Sequence, residues 1–378
     1  MTSIARNKSN EQIKSKIKEL TKEIRKDINT AKAISKWDKI VKDIQDPRDT
    51  KRGWNHIKKI LKKKIKNPVK IIGSNNEILK NNLEIANSFS KKLEKTFQPN
   101  ISNKPILEEL SNIWKNTTNH KCKKFKTIDH ITLDEVKKKI DNLKNGKSQG
   151  IYNTTNKLLK TIINEIRPIP VTLYNYCISL SHFPSYYKIA KIIMIQKKPN
   201  TNRLDEFRPI SLLPKIFESL ICDKINTWLE TNNILNQEQS GFRQNRSSHD
   251  HIFQLLQSFI FLKNRKRSMS AVFIDFEKAF DTINHTYLLY KLNKLKLPKY
   301  LLNIIVSFLT DRSCSVNYNG SNSNSFNIKA GVPQGSCLSP ILFCLFVSDI
   351  PTNDKCNLSQ FADDLAAWAR YLKNSHFY

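Results

Sequence analysis

Three aspartates stand at positions whose sequence pattern suits metal-dependent chemistry. Asp275 follows the apolar, β-branched run 272–274, and this pattern predicts a buried strand with the carboxylate at its end. Asp363 and Asp364 are adjacent with an apolar-biased segment on each side, which predicts a β-hairpin with both acids at its tip. Burying such neighbouring like charges is unfavourable unless a metal ion or lysines lie nearby.

Magnesium is the ion that such carboxylates would hold. It prefers oxygen ligands, uses one or two carboxylates, and completes its shell with water and substrate phosphate. Two such ions about 4 Å apart can activate an attacking 3′ hydroxyl group and stabilise a departing pyrophosphate. A strand-end acid together with a hairpin-tip acid supplies the ligands that this chemistry needs.

Each acid, taken alone, also fits an ordinary structural position. Asp275 could be a cap or a turn residue, and the pair Asp363 and Asp364 could form an exposed turn. Asp281 precedes Thr282 and is expected to be a helix N-cap. The metal-site interpretation therefore depends on the three acids coming together.

A loop rich in glycine and proline lies between the two acidic segments. The segment AGVPQGSCLSP (330–340) contains Gly331, Pro333 and Gly335, and glycine lets backbone approach a ligand closely. The apolar run 341–347 that follows predicts a buried helix. Such a loop before a helix is common, so it is informative only together with the acids.

Short strands and helices must position these segments. The runs 191–195 and 270–275 predict strands, and the apolar spacing of 252–260 predicts a helix between them. Thr132 with Glu135 forms a capping-box pattern that opens another helix. Because strands and helices mix without a strict βαβ rhythm, we expect an α+β fold.

The chain is strongly basic. Its 64 Lys and Arg residues against 33 Asp and Glu give a net charge of +31, which favours nucleic acid first and an acidic membrane surface second. An AT-rich genome, which favours lysine codons, is the alternative cause. Apolar residues at helical spacing over 13–34 predict an amphipathic helix that docks on a partner or on the body of the protein, and the patch 58–66 suits phosphate contact or nuclear import.

The sequence carries no pattern of a secreted or zinc-binding protein. Its seven cysteines form no CxxC pair and no His/Cys cluster. Its first residues lack the apolar core of a signal peptide, and the longest strongly apolar run falls short of the roughly 20 residues that span a bilayer. We expect an intracellular chain in the nucleus, the cytoplasm or both, with no membrane partner.

Taken in order, these segments resemble the reverse transcriptase of non-LTR retrotransposons, closest to the jockey type. The resemblance rests on five segments, of which two resemble finger segments, two resemble palm motifs and one resembles the catalytic hairpin. They are FRPISLLPKIFE (207–218), QSGFRQNRSSHD (239–250), FIDFEKAFD (273–281), GVPQGSCLSP (331–340) and FADD (361–364). Weaker similarity continues upstream to about residue 67.

The resemblance implies a role for individual residues. Asp275 and Asp363 would bind two Mg²⁺ ions, with Asp364 completing the acidic cluster. Phe280 matches the aromatic residue that excludes a ribose 2′ hydroxyl group, although a core aromatic would fit the pattern equally. Nucleotide-binding roles fall on Arg208, Lys197 or its neighbour Lys198, Gln334 and Gly335, and template-binding roles on Arg243 and Arg246.

The resemblance also implies the organisation and the activity. A basic helical extension (1–66) and a helical connecting region with the start of the fingers (67–185) would precede fingers and palm (186–378) that end before the thumb. The chain would be a partial copy, cut short at both ends. It would copy an RNA template from a DNA primer with deoxynucleoside triphosphates. The alternative is an inactive retroelement fragment that binds RNA or DNA.

One segment departs from the family pattern. The family usually has an acid and a glycine after the first glycine of the segment 147–160, where this chain has Ile151, Tyr152 and Asn153. The departure puts a template or nucleotide role of this loop in doubt.

Overall fold

The computed structural model describes Glu19, Glu23 and residues 68–99, 128–146, 150–199, 201–243, 246–351 and 356–370. Within these ranges, positions 69, 74, 152, 153 and 167 are not described. The chain divides into two units, Met1–Asn67 and Pro68–Tyr378, and every element below belongs to the second. The predicted amphipathic helix, the patch 58–66 and the departure at Tyr152 and Asn153 lie outside the described residues. The predicted domain boundaries stay predictions.

Helices and strands mix along the described chain, which confirms the α+β prediction. The helices are α1 (Asn82–Thr96), α2 (Leu133–Asp141), α3 (Asn156–Ile166), α4 (Pro168–Ser179), α5 (Ile216–Thr231), α6 (Ser248–Asn264), α7 (His285–Lys294), α8 (Lys299–Leu309) and α9 (Ser339–Phe346). The strands are β1 (Ile71–Ile72), β2 (Ile78–Leu79), β3 (Ile189–Gln196), β4 (Phe207–Leu212), β5 (Met269–Asp275), β6 (Arg312–Tyr318), β7 (Ser321–Asn322), β8 (Phe326–Ile328), β9 (Asn357–Phe361) and β10 (Asp364–Arg370).

Two larger sheets organise these strands. One has the order β4-β3-β6-β7, with β8 also pairing with β6, and its β3–β6 pair is parallel. The other has the order β5-β10-β9 and is antiparallel throughout. The predicted strands correspond to β3 and β5, and the predicted helix between them to α6. Both halves of the capping box at Thr132 are present at the start of α2.

Two apolar cores hold these layers. In the first, α1 covers the five-stranded sheet, and Phe89 of α1 packs edge-on against Phe207 of β4 with ring centroids 5.1 Å apart. The second is helical and gathers residues of α2–α5 and α7–α9, including the fully buried Phe217 and Phe308. The predicted buried helix after the glycine-rich loop, α9, lies in this second core.

The prediction that β5 is buried is wrong. Val272, Phe273 and Ile274 are 59%, 71% and 44% exposed. The strand forms the edge of its sheet, so it has a neighbour on one side only. An apolar run predicts a strand, but it does not encode where in a sheet that strand lies. The preceding helix α6 exposes apolar side chains as well, among them Phe253 and Ile260.

No helix in the described part of the chain combines the length and the apolar character needed to cross a membrane.

Candidate active site

Asp275 and Asp364 face each other at one end of the three-stranded sheet. Strand β10 runs antiparallel to β5 in a register that places Asp364 directly opposite Asp275. Ala362 and Asp363 form the two-residue turn between β9 and β10, and Phe361 pairs with Asp364 across it. The structure therefore brings the predicted strand end and the predicted hairpin tip together.

This arrangement fits a divalent cation held by two carboxylates. Residues directly opposite in an antiparallel pair have Cβ atoms about 5 Å apart, and like charges there destabilise the pair. Asp275 and Asp364 are both exposed, so a cation and its phosphate ligands can reach them. Among the described residues, no group of three or more His, Cys, Asp or Glu side chains gathers closely enough to hold a metal ion. The predicted sharing of metal between Asp275 and Asp363 stays a prediction.

The glycine-rich loop packs between the turn after β5 and strand β4. The Val332 N–H donates to the Phe280 carbonyl over 2.8 Å, and the Ser211 N–H of β4 donates to the Gln334 carbonyl over 2.7 Å. Gly335 has φ +109°, and a Cβ there would lie 2.7 Å from the Ser211 carbonyl oxygen. Only glycine fits so close to the backbone of β4. The loop and β4, which carries Arg208, are thus held side by side.

Phe280 is half-buried between two other aromatic rings. Its ring stacks on Phe343 of α9 with centroids 4.8 Å apart, and the Phe242 ring meets it edge-on at 6.2 Å. The packing fixes the position of the Phe280 ring beside the glycine-rich loop. Its role in excluding ribose stays a prediction.

The predicted N-cap role of Asp281 is wrong. Asn284 caps α7 instead, because its side chain accepts from the N–H groups of Thr286 and Tyr287. Asp281 is buried and accepts a 2.8 Å hydrogen bond from the Gln334 amide. Burial raises the pKa of the Asp281 carboxyl to about 6, and the Gln334 hydrogen bond and nearby lysines offset part of this rise. The residue links the turn after β5 to the glycine-rich loop.

We expect Asp281→Asn to stabilise the protein above pH 6 and to have little effect near pH 4. The folded carboxyl, with its raised pKa, holds its proton more tightly than an unfolded aspartate, whose pKa is about 3.9. The stability that Asp281 contributes is therefore present below pH 4 and lost as the pH rises through 6. Asparagine keeps the acceptor for Gln334 and cannot ionise, so the gain in unfolding free energy should reach at most about 3 kcal/mol. Urea unfolding at both pH values measures it, and a pH-independent difference would contradict the assignment.

The remaining predicted binding residues divide into two groups. Arg208 is exposed on β4, and Lys197 directly follows β3, so both cations lie at the β3–β4 hairpin. The Lys197 Nζ donates to the Asp205 carbonyl oxygen over 3.0 Å. Arg243, in contrast, donates to the carbonyls of Asn236 and Gln239 within its own loop. Its predicted contact with template phosphate stays a prediction, as does that of Arg246, whose guanidinium donates to Gln237 over 3.3 Å.

Glu218 is a functional candidate that the sequence argument did not single out. It is fully buried on α5 and its Oε2 accepts from the Ser336 hydroxyl group over 2.7 Å and from the Cys337 N–H over 2.9 Å. These bonds fasten the end of the glycine-rich loop to α5. A signal was available, because Glu218 is the single acid of the segment 207–218, which resembles a finger segment.

Comparisons with known proteins find similarity to reverse transcriptases. Residues 195–376 match the family model described as reverse transcriptase (RNA-dependent DNA polymerase). A probable RNA-directed DNA polymerase from transposon BS of Drosophila melanogaster is 34% identical over 252 residues, 63% of this chain and 28% of the relative. The probable RNA-directed DNA polymerase from transposon X-element of the same organism is 29% identical over 320 residues, 82% of this chain and 35% of the relative.

The chain thus spans about a third of the length of the curated relatives it matches. A solved apo telomerase from Candida tropicalis is 16% identical, with 59% of this chain and 52% of that chain covered and a TM-score of 0.37. The family match and the mixed helices and sheets together confirm the predicted class of polymerase fingers and palm.

Proposed function

We propose that this chain is the RNA-directed DNA polymerase of a non-LTR retrotransposon, because residues 195–376 match the reverse transcriptase family. The observation that carries the proposal is the register of β5 and β10, which sets Asp275 opposite Asp364 with Asp363 in the adjoining turn. Carboxylates converging on an open strand end suit nucleotidyl transfer, since substrate phosphate can complete the shell of a bound cation.

Each part of the site has a task in this reaction. Two magnesium ions, when bound, would activate the primer hydroxyl group and stabilise the departing pyrophosphate. Asp275 and Asp364, with Asp363, would hold them. Arg208 and Lys197 at the β3–β4 hairpin would neutralise the triphosphate, because arginine presents a planar fork of donors and lysine a compact charge.

The partners of the proposed polymerase are an RNA template, a DNA primer and deoxynucleoside triphosphates. The net charge of +31 supports polyanionic partners, because neutralising phosphates releases bound counterions. Phe280, held against Phe343, would favour deoxynucleotides by occupying the space of a ribose 2′ hydroxyl group.

The exposed apolar faces of β5 and α6 favour a second candidate function. A sheet that carries catalytic acids needs rigid support, and Phe273 and Phe253 are 71% and 60% exposed here. The second candidate is an inactive chain that binds RNA or DNA through its basic residues without copying it. Such a chain would not need the rigid support of the sheet that catalysis requires.

Primer extension by the purified full chain separates the two functions. We expect extension of a DNA primer on an RNA template with magnesium and deoxynucleotides, none with EDTA, and much less with ribonucleotides. Filter binding of the same template, measured in parallel, reports nucleic-acid affinity by itself. Binding without extension over a range of magnesium concentrations would establish the second candidate and reject the polymerase.

A further inference from the structure

The turn of the acidic hairpin is held by a side chain from outside its sheet. Gln239 is 3% exposed, and its Oε1 accepts hydrogen bonds from the Ala362 N–H over 3.1 Å and from the Gly241 N–H over 2.7 Å. Ala362 is the residue immediately before Asp363. The contact therefore reaches the backbone next to the predicted metal ligands.

The segment around Gln239 also pairs with β9 through its backbone. The Ser240 N–H donates to the Gln360 carbonyl over 3.0 Å, and the Gln360 N–H donates to the Glu238 carbonyl over 2.9 Å. These bonds form a parallel bridge between Gln239 and Gln360. The segment thus lies alongside β9 in a fixed register.

Gly241 allows the two segments to approach this closely. A Cβ at Gly241 would lie 2.2 Å from the Ala362 nitrogen and 2.8 Å from its Cα, distances that no real side chain tolerates. The Gly241 carbonyl also accepts a 3.5 Å hydrogen bond from the Cys344 thiol of α9. The hairpin turn is consequently packed against the segment 239–241, which is itself fixed to the helical core.

The turn needs such support because its backbone is strained. Ala362 has φ +57°, a left-handed conformation that residues with a Cβ adopt at a cost. Strained positions persist where the surroundings over-determine them, and they cluster at functional sites. The Gln239 hydrogen bond supplies that constraint at the strained residue itself.

We propose that Gln239 is a positioning residue, which clamps the hairpin turn at Ala362 and so fixes Asp363 and Asp364 relative to Asp275. The inference rests on the proposed polymerase function and deepens it. Gln239 touches no reacting atom; it acts through the turn backbone. The same loop continues into Phe242, whose ring meets Phe280, so the clamp also couples the hairpin to the proposed nucleotide side of the site.

The test compares Gln239→Met with Gln239→Glu. Methionine has similar length but no acceptor, whereas glutamate keeps an acceptor for both N–H groups. The control is Gln254→Met, because Gln254 is exposed on α6. Hydrogen exchange of the full chain without metal or substrate is the first measurement, and primer extension is the second.

In Gln239→Met we expect peptides covering 358–366 to exchange about tenfold faster, the effect of losing two hydrogen bonds at the turn, while peptides from α8 stay unchanged. The value of kcat should fall about tenfold with the KM for deoxynucleotide nearly unchanged. Gln239→Glu should exchange more slowly at the hairpin than Gln239→Met, because its carboxyl group keeps an acceptor for both N–H groups, and Gln254→Met should match the unsubstituted chain.

Unchanged exchange at the hairpin in Gln239→Met would overturn the clamp, and so would faster exchange spread evenly over the molecule. If that variant does not fold, Gln239→Asn, whose side chain is one methylene too short to reach Ala362, takes its place with the same criteria. The two proposals can also fail separately. If the unsubstituted chain shows no primer extension but Gln239→Met still speeds hydrogen exchange at the hairpin, the polymerase function is rejected and the clamp is retained.

Discussion

Asp275→Asn is expected to reduce primer extension by about 10³-fold or more, since a cation-held transition state is worth several kcal/mol and each 1.36 kcal/mol is tenfold in rate. Asparagine keeps the shape of aspartate and removes the charge that would hold magnesium. Asp363→Asn and Asp364→Asn should have effects of similar size. Single-turnover extension measured at saturating nucleotide compares the three.

The same substitution should leave the fold intact or strengthen it slightly. Asp275 is exposed and faces Asp364 across the β5–β10 pair, so neutralising one acid removes a repulsion between like charges. A loss of activity with an unchanged or raised Tm therefore separates catalysis from unfolding. Asp349→Asn is the matched control, since this acid lies on the surface and pairs with Lys291.

The double variant of Asp275 and Asp364 sharpens the test. Residues that act as one catalytic unit are strongly non-additive, so the double variant should be hardly slower than either single one. Rate losses that multiply would show that the two acids act independently, which contradicts a shared ion. Activity that survives in all three single variants would remove the acids from the mechanism altogether.

The local parts of this site could be predicted from sequence, because they depend on local patterns. The strand before Asp275 and the turn at Asp363 follow from apolar runs and turn residues, and β5 and the β9–β10 hairpin have these forms. The capping box at Thr132 is equally local. Assigning the segments to fingers and palm needed the order of five motifs rather than any one of them.

The long-range contacts could not be predicted in the same way. Asp281 resembles an N-cap from its neighbours alone, but its partner Gln334 lies 53 positions further along the chain. Gln239 contacts Ala362 across 123 positions. The exposure of β5 is also a property of its place in the sheet. Such features depend on tertiary packing, which hydrophobic periodicity does not encode.

Glu218→Ala is expected to cost about 3 kcal/mol of unfolding free energy, because it leaves the Ser336 hydroxyl group and the Cys337 N–H without their buried acceptor. Burial raises the pKa of the Glu218 carboxyl, an effect that the Ser336 hydrogen bond and the charge of Arg312 offset in part. Arg312 is fully buried as well, donates to the Phe308 carbonyl over 2.9 Å, and has its pKa lowered by burial to about 10. Without Glu218, the buried Arg312 guanidinium loses the carboxylate that most favours its charged form.

Asp223→Ala supplies the comparison on the same helix. Asp223 pairs with Lys139 over 2.6 Å, but the side chain of Asp223 is 55% exposed. Exposed pairs contribute about 1 kcal/mol or less. The loss of unfolding free energy in Glu218→Ala should therefore be several times larger than the loss in Asp223→Ala. Guanidinium unfolding of both variants measures the two losses. Equal changes would show that burial of Glu218 does not matter.

Replacing Arg312 by Met in the Glu218→Ala background should restore part of the lost stability, since it removes the uncompensated charge and fills similar volume. It should not restore the glycine-rich loop, because Ser336 and Cys337 would still lack the acceptor that fastens them to α5. If Gln334 and Gly335 bind deoxynucleotide as proposed, the affinity for deoxynucleotide should therefore stay reduced although part of the stability returns. A double variant that recovers stability and nucleotide affinity together would show that Glu218 serves the fold alone. If the double variant is no more stable than Glu218→Ala, the charges of Glu218 and Arg312 do not depend on each other.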